Sequence, residues 1–417
     1  MALYALRSRV SSPSLSRLRR TVCVALFALG LLSLGGCTGG QEIESCLFVI
    51  AMAVDPAPDG NLTVTVKALS GTQDVSSPSG TADDSDDPES SGESQSSAAP
   101  SAMEIEEPGY IVLSATAPSC LRALGLLSVT TPRTVNLSQL REIVVNRTLA
   151  ETDATLSILK EIHSMFRANG EAVVVITPDD AGDFIRRQRA ILGLRLSKYL
   201  EVLFEHYAKL DTIPPHANLS AVITAMESST LDAAAVYAAG NNFDSTLVLP
   251  GAADTDRLPG HLPRTAPAQN EYMGTALFDG PRMSGVLTGE ETGILCLLMG
   301  KANRLSTIID GAQYKTTART KVSQSLSRSD GALEAAIRMS LTLAAGQQSM
   351  NAGDIAARIE QSAANVLRKM QAASCDAVGF GRLAIMGSAD IAAWEAQDWN
   401  HTYEQADVRV SAHVRVL

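Results

Sequence analysis

The 417-residue chain lacks the residue spacings that mark metal sites and the common catalytic motifs. Its six histidines never stand at metal-ligand spacing, and its six cysteines include no C-x-x-C pair, so the sequence gives no support to a zinc site. No G-x-S-x-G occurs, and an S-x-x-K match at Ser157–Lys160 falls inside a predicted helix without its usual partner motifs. We therefore predict no catalytic residue, no metal site, no cofactor and no enzymatic activity.

Positive charge is also scarce. The chain has 34 lysines and arginines against 45 aspartates and glutamates, a formal net charge of -11. Such a surface favours neither nucleic acid nor a polybasic mode of membrane attachment. Four cysteines, Cys46, Cys120, Cys296 and Cys375, lie far apart in the body of the chain. Their disulfide state stays open, with buried free thiols as our expectation.

The stretch Thr21–Cys37 is the most informative segment of the sequence. It follows a leader with five arginines, and its apolar core, Val22–Leu34, carries no charge, as an export signal requires. As a helix this core would be about 20 Å long, shorter than the ~30 Å of a bilayer. The segment ends in Leu-Gly-Gly-Cys, which resembles a lipobox, so Cys37 is the predicted site of diacylglycerol attachment. An ordinary secretory signal with a chance cysteine is the alternative.

Together with this signal, the composition predicts five regions along the chain. They are a signal peptide at 1–36, a tether at 37–45, an N-terminal α/β domain at 46–200, a helical middle region and linker at 201–270, and a C-terminal domain at 271–417. Within the N-terminal α/β domain, Ser76–Ser101 consists of serine, acidic residues, proline and glycine, with hardly an apolar side chain. Such a segment cannot offset the entropy of ordering, so we predict a disordered insert. It lacks the spaced ligand pattern of a cation-binding loop.

The N-terminal half shows an alternation of strand-like and helix-like segments. Leu47–Val54 and Leu62–Leu69 flank an Asp-Gly turn signal and are predicted to form a hairpin. We predict that a helix at 151–169 ends at Asn169-Gly170 and that the next helix carries Pro178 in its first turn. The other predicted strands are 110–114, 140–146 and 173–176, and the other predicted helices are 119–128, 196–210 and 218–226. This pattern predicts a mixed sheet with helices packed on it.

The last third predicts an antiparallel sheet covered by one long helix. A hairpin is predicted at 272–287, followed by a capping box at Thr288–Glu291 and a helix that Gly300 ends. Alternating segments at 316–327 and 332–343 surround an Asp-Gly turn, and 354–371 has the period of an amphipathic helix. The final strand, 408–416, is predicted to be antiparallel, with Val410 and Val414 inward and Arg409 outward. The predicted fold class is therefore α+β and multidomain.

In the order and spacing of its motifs, the chain resembles the Ger(x)C family, the lipoprotein C subunits of spore germinant receptors. The residues that carry the resemblance are the lipobox, Asp55 in the first hairpin, Gly274, Ala276, Phe278 and Gly285 in the second, Leu298–Lys301, Cys375–Gly381, Trp394, Trp399 and the terminal strand. Two departures are visible. Thr38-Gly39 replaces the usual Trp-Asp pair, and the serine-rich acidic segment is an insertion.

The resemblance implies a non-catalytic subunit of a receptor complex. It would be anchored through Cys37 on the outer face of the spore inner membrane, beside two integral membrane subunits, and would help to detect nutrients. The germinant, and whether this subunit contacts it, stay open. The alternative is a substrate-binding lipoprotein of a transporter, with an envelope hydrolase as a more distant one. Binding lipoproteins usually show two doubly wound lobes, whereas the last third here predicts antiparallel hairpins.

Overall fold

The fold is described from a computed structural model. The residues it describes are 43–70, 109–191, 193, 195–241, 258–262, 270–302, 306–309, 312–316, 320–329, 332–345 and 351–417, together with Arg20. The predicted signal core, Cys37 and the acidic insert at 76–101 lie outside these residues. Across the described ranges, no helix combines the length and the apolar character that a membrane span requires.

The first sheet is mixed, as predicted. Its strands are β1 (Cys46–Pro56), β2 (Leu62–Leu69), β3 (Tyr110–Ala117), β4 (Thr134–Asn136), β5 (Glu142–Asn146), β6 (Val173–Thr177), β7 (Ala234–Gly240), β8 (Asn270–Asp279) and β9 (Arg282–Leu287). Their order is β3-β2-β1-β5-β6-β7-β8-β9, with β4 beside β1. The four central strands, β1, β5, β6 and β7, pair with one another in parallel. The strands at the two edges, β2 with β3 and β8 with β9, are attached in antiparallel pairings.

Apolar clusters cover both faces of this sheet. Val49, Met52 and Val54 of β1 belong to one cluster, whereas Ile50 and Ala53 belong to another. A strand buried on both faces explains why the sequence there is continuously apolar rather than alternating. The helices of this half are Cys120–Thr130, Arg147–Ala150, Ala154–Phe166, Ala181–Arg186, Leu196–Lys209 and Leu219–Met226.

Two helix boundaries differ from the sequence prediction. The helix Ala154–Phe166 ends because Arg167 adopts the left-handed conformation, with φ of 48°, so Asn169-Gly170 is not its cap. Asn169 instead donates its side-chain amide to the Leu140 carbonyl, which fixes the turn before β5. The Asp180 carboxylate accepts the Asp183 N–H and begins the next helix at Ala181, so Pro178 lies before the helix rather than in its first turn.

The second sheet contains β10 (Ser306–Ile309), β11 (Ala312–Thr316), β12 (Lys321–Ser329), β13 (Ala332–Ala345) and β14 (Asp407–Val416). The first four pair antiparallel, in the order β10-β11-β13-β12. The long helix, Ala352–Ala372, covers the sheet as predicted. Its apolar stripe is fully buried and consists of Ile355, Ile359, Ala363, Val366 and Met370.

The terminal strand β14 pairs with β13 in parallel, so the antiparallel prediction for it is wrong. Parallel neighbours need a crossover, and the chain between β13 and β14 contains the long helix and several short ones. The predicted alternation is confirmed, since Val414 is buried, Val410 packs partly buried on the same core and Arg409 is exposed. Sequence alternation sets the face of a strand and leaves its direction open.

Short elements complete the fold. The helix Gly289–Leu298 begins at the predicted capping box of Thr288 and Glu291. The short helices Gly381–Ala384, Ile391–Glu395 and Trp399–Glu404 follow the long helix, and 3-10 turns lie at Ile43–Ser45, Pro58–Gly60 and Ile385–Gly387. Strands β8 and β9 hydrogen-bond within the first sheet, while Leu277 and Leu287 pack in the core of the second. The proposed boundary between 201–270 and 271–417 stays a prediction.

Candidate functional site

The predicted lipid attachment at Cys37 stays a prediction, because that residue lies outside the described ranges. The other site that the sequence singled out is the segment Cys375–Gly381. It follows the long helix and leads into the short helix Gly381–Ala384, so it is a turn between helices. The turn requires glycine at position 379, because the backbone φ of Gly379 is +90°.

Asp376 is the centre of this turn. Its Oδ1 accepts the backbone N–H groups of Gly379 at 2.8 Å and Phe380 at 3.0 Å. Its Oδ2 accepts the N–H of Gly381 at 2.7 Å and the indole Nε1–H of Trp399 at 3.0 Å. Successive backbone N–H groups of this kind can cradle a phosphate, but here the chain's own carboxylate fills the cradle. This geometry gives the loop a structural role.

Asp376 is joined to Asp232, which lies before β7. The backbone N–H of Asp376 donates to Asp232 Oδ2 at 2.7 Å, and both side chains are buried. Burial raises the pKa of Asp376 to about 7, although its four N–H donors act in the opposite direction. Burial likewise raises the pKa of Asp232 to about 6. Nothing local in the sequence indicated Asp232, because its partner is distant in the chain.

Aromatic rings close over the Asp376 turn. Trp394 and Trp399 are 2% and 5% exposed, and their ring centroids lie 5.5 Å apart. The indole of Trp394 donates to the Ser229 hydroxyl at 2.9 Å. Both rings therefore pack in the interior and present no open face to a sugar or a base.

Gly381 brings this C-terminal turn against the segment before β7. A Cβ at this position would lie 2.7 Å from the Thr230 carbonyl oxygen and 2.8 Å from Trp399 Nε1. No side chain fits there without a shift of backbone. The close approach joins the short helices after the long helix directly to the chain that enters the first sheet.

A second buried polar cluster lies beneath the first sheet's central strands. The Glu142 carboxylate accepts hydrogen bonds from the Gln188 amide and, at 3.2 Å, from the Tyr272 hydroxyl. Lys67, only 1% exposed, donates its Nζ to the Gln188 carbonyl at 2.6 Å. Burial raises the pKa of Glu142 to about 7, while Gln188, Tyr272 and Lys67 lower it. No local sequence pattern indicates this cluster, because its members come from four separate segments.

Asp55 has a positioning role. Its two carboxylate oxygens accept the N–H groups of Ala181 at 2.8 Å and Gly182 at 2.9 Å, which are the first residues of a helix. The arrangement ties the end of β1 to that helix. Burial is the main reason why the pKa of Asp55 is raised above its ordinary value.

Four cysteines and the S-x-x-K match are the remaining chemistry-bearing residues of the sequence. Cys120, Cys296 and Cys375 are buried free thiols, as expected, and Cys46 is buried too. Within the described parts of the chain, no three His, Cys, Asp or Glu side chains are grouped so that they could hold a metal ion. Ser157 and Lys160 lie in the helix Ala154–Phe166, where Lys160 pairs with Glu227.

The two sheets and the buried polar clusters together define the class of this protein. It is an α+β protein with two sheets, in which buried carboxylates hold separate chain segments together. Two family models match the chain. The model described as "Spore germination protein N-terminal domain" matches residues 39–239, and that described as "Spore germination B3/ GerAC like, C-terminal" matches residues 273–417. The chain therefore belongs to the GerAC-like family of spore germinant receptor C subunits, and the resemblance predicted from the sequence is confirmed.

A solved structure described as "Crystal Structure of the GerBC protein" is also similar to this chain. The two share 12% sequence identity with a TM-score of 0.44, over 88% of this chain and 96% of that chain. No curated protein matches the chain.

Proposed function

We propose that this protein is a lipid-anchored, non-catalytic subunit of a germinant receptor and is required for nutrient-triggered spore germination. The observation that carries the proposal is the pair of family matches, which follow each other in order along 39–239 and 273–417. The proposed anchor is a diacylglycerol on Cys37, on the outer face of the spore inner membrane. The proposed partners are two integral membrane subunits of the receptor.

The placement of the buried carboxylates supports a non-catalytic role. Asp232, Glu142 and Asp376 have the pKa values that burial raises most among the described carboxylates, and each is at most 7% exposed. Each also accepts hydrogen bonds from the protein's own donors. A general acid or base must reach the substrate, and these groups face the interior. Their arrangement is that of structural anchors.

The architecture favours the receptor subunit over a transporter's binding lipoprotein. Two doubly wound lobes with a crevice between them are typical of solute-binding proteins. The described strands form one mixed sheet with antiparallel sides and one smaller sheet that is antiparallel except for β14. That arrangement matches the antiparallel character predicted for the last third of the sequence.

The anchoring claim is tested by Cys37→Ala, with Cys46→Ala as the matched control. Cys46 is buried, lies just after the predicted tether and is not part of the lipobox. Cys37→Ala should move the protein out of carbonate-washed membranes, whereas Cys46→Ala should stay there. If Cys37→Ala remained in washed membranes, the lipid anchor would be wrong.

The receptor claim has a separate test. Deletion of the gene should abolish germination in response to the receptor's nutrient, and a wild-type copy should restore it. Affinity purification of the full chain from detergent-solubilised spore membranes should recover the two integral membrane subunits. Normal nutrient-triggered germination of the deletion strain would contradict the proposed function.

A further inference from the structure

Two neighbouring cavities share Gly300 and Lys301, which belong to the Leu298–Lys301 motif. The first has a volume of about 480 Å³, and Ala208, Ile213, Pro215 and Ala302 give it a largely apolar lining. The second has a volume of about 660 Å³ and is lined by Thr320, Lys321, Val322 and Gln324, among others. Either volume is of the size that holds a small organic molecule.

The backbone fixes Lys301 where the cavities meet. Gly300 ends the helix Gly289–Leu298 in the left-handed conformation, with φ of +66°. The Lys301 N–H then donates to the Cys296 carbonyl at 2.8 Å. A cation is favourable beside the C-terminus of a helix, which accounts for a lysine at 301. It does not account for a second lysine, Lys321, on the wall of the same cavity.

Uncompensated positive charge gathers around the second cavity. Within the described residues, Lys301, Lys321 and Arg382 form no ion pair, and the first two side chains are exposed. The pKa of His216, on the wall of the first cavity, is lowered by burial and then by the charges of Lys301 and Arg382. Lys301 and Arg382 therefore both lie near His216. A protein with a net charge of -11 has acidic groups available to pair with them, and none does so among the residues described.

Thr320 supplies an independent observation. It lines the second cavity, is 4% exposed, and its hydroxyl has no hydrogen-bond partner in the described part of the chain. Buried hydroxyl groups nearly always have a partner, because leaving one unpaired costs free energy. An acceptor oxygen of a bound molecule would provide that partner.

We infer that the two cavities form a binding site for a small organic anion, with its carboxylate or phosphate group at Lys301, Lys321 and Thr320. The ligand's apolar body occupies the first cavity, against Ile213 and Pro215. Asp211 also lies on the wall of that cavity, and its carboxylate repels an anion and directs the charged group toward Lys321. The inference does not depend on the proposed function.

The test measures binding to the full chain, purified in a neutral detergent, by isothermal titration calorimetry at low ionic strength. The probes are 3-phenylpropionate, phenyl phosphate and the uncharged 3-phenylpropanamide. We expect saturable binding of at least one anion and binding of the amide that is at least about tenfold weaker, since only the anion gains the charged contacts. Thr320→Val should weaken the binding of the anion and leave the circular dichroism spectrum unchanged.

The decisive variants remove the two cavity lysines. Lys301→Gln with Lys321→Gln should weaken anion binding by at least about tenfold. The matched control is Lys160→Gln with Lys198→Gln, two exposed lysines that pair with glutamates outside both cavities. This control should bind as the wild type does, and circular dichroism should show all variants folded.

Several outcomes would overturn the inference. They are no binding of either anion by the wild type, equal binding of the amide and the anions, and wild-type affinity in the double variant at positions 301 and 321. Vesicles of phosphatidylglycerol form a further arm of the test. If those two lysines governed binding to the vesicles but not to the small anions, the site would recognise a lipid headgroup, and the proposed small ligand would be wrong.

Discussion

Asp232 and Asp376 join two distant parts of the chain through reciprocal hydrogen bonds. The Asp376 N–H donates to the Asp232 carboxylate at 2.7 Å, and the Asp232 N–H donates to the Asp376 carbonyl at 3.3 Å. Asp232 precedes β7 of the first sheet, whereas Asp376 follows the long helix that covers the second sheet. The pair therefore holds the segment before β7 against the turn that follows the long helix.

The Asp376 carboxylate should be among the side chains most important for stability. In Asp376→Ala, three backbone N–H groups and the Trp399 indole would lose their acceptor in the interior. An unsatisfied buried donor costs about 1–3 kcal/mol, so we expect a loss of at least ~3 kcal/mol in the free energy of unfolding. Denaturant unfolding followed by circular dichroism would measure it.

Asp390→Ala is the matched control for that substitution. Asp390 also accepts a backbone N–H, that of Ala393, but it is an exposed N-cap of a short helix. Its removal should cost about 1 kcal/mol. Equal losses in the two variants would show that the Asp376 hydrogen bonds do not stabilise the interior as argued.

The features that the sequence predicted are those set by neighbouring residues. The capping box of Thr288 and Glu291 lies within one helical turn, and the buried stripe of the long helix repeats every three or four residues. Both follow from local geometry. The pairing of Asp232 with Asp376 spans 144 residues, and no local pattern can contain it.

The direction of β14 shows the same limit in another form. Alternation correctly placed Val414 inside, because it depends only on the period of a strand. Parallel pairing depends on the path of the chain from Ala345 to Asp407, and that path is determined by how the intervening helices pack. The buried cluster of Glu142, Lys67 and Tyr272 was missed for a similar reason, since its members meet only in the folded protein.

Glu142 should make stability depend on pH. Its pKa is raised from an ordinary 4.5 to about 7. The contribution of Glu142 to the free energy of unfolding is therefore fully present below pH 4.5 and is lost as the pH rises through 7. Glu142→Gln cannot ionise. Between pH 5 and pH 8 the wild type should therefore lose about 2–3 kcal/mol more unfolding free energy than the variant does. Asp232 and Asp376 titrate in both proteins, so the pH dependence that they contribute cancels when the two proteins are compared.

Urea unfolding curves at the two pH values provide the measurement. The neutral variant keeps a hydrogen-bonding side chain of the same size beside Tyr272, which limits any effect of lost packing. If the wild type and Glu142→Gln lost the same free energy over this range, the carboxyl group would not be neutral in the folded protein at low pH.

Val414 tests the inner face of β14. It is 7% exposed and packs in the second core, so Val414→Asp would remove a side chain whose burial is worth about 1.5–3 kcal/mol and introduce an unpaired carboxylate. We expect the C-terminal region to unfold, with a large loss of circular dichroism signal. Arg415→Ala, on the exposed face, should change stability by less than ~0.5 kcal/mol. Similar behaviour of the two variants would contradict the facing of this strand.

The register of β14 against β13 can be tested by pairing cysteines across the boundary between the two strands. Arg338 and Ser411 lie opposite each other and are both exposed, and Thr342 lies opposite Arg415. Mild oxidation should therefore join Arg338→Cys to Ser411→Cys, because directly opposed strand residues satisfy the distance limits of a disulfide.

The control pair, Arg338→Cys with Arg415→Cys, is offset by four residues, or about 13 Å, and should stay reduced. The four native cysteines of the described chain are buried and should not compete. Non-reducing electrophoresis of a protease digest separates the two results. A link in the control pair and none in the opposed pair would reverse the assigned register, because only a different alignment of β14 brings positions 338 and 415 together.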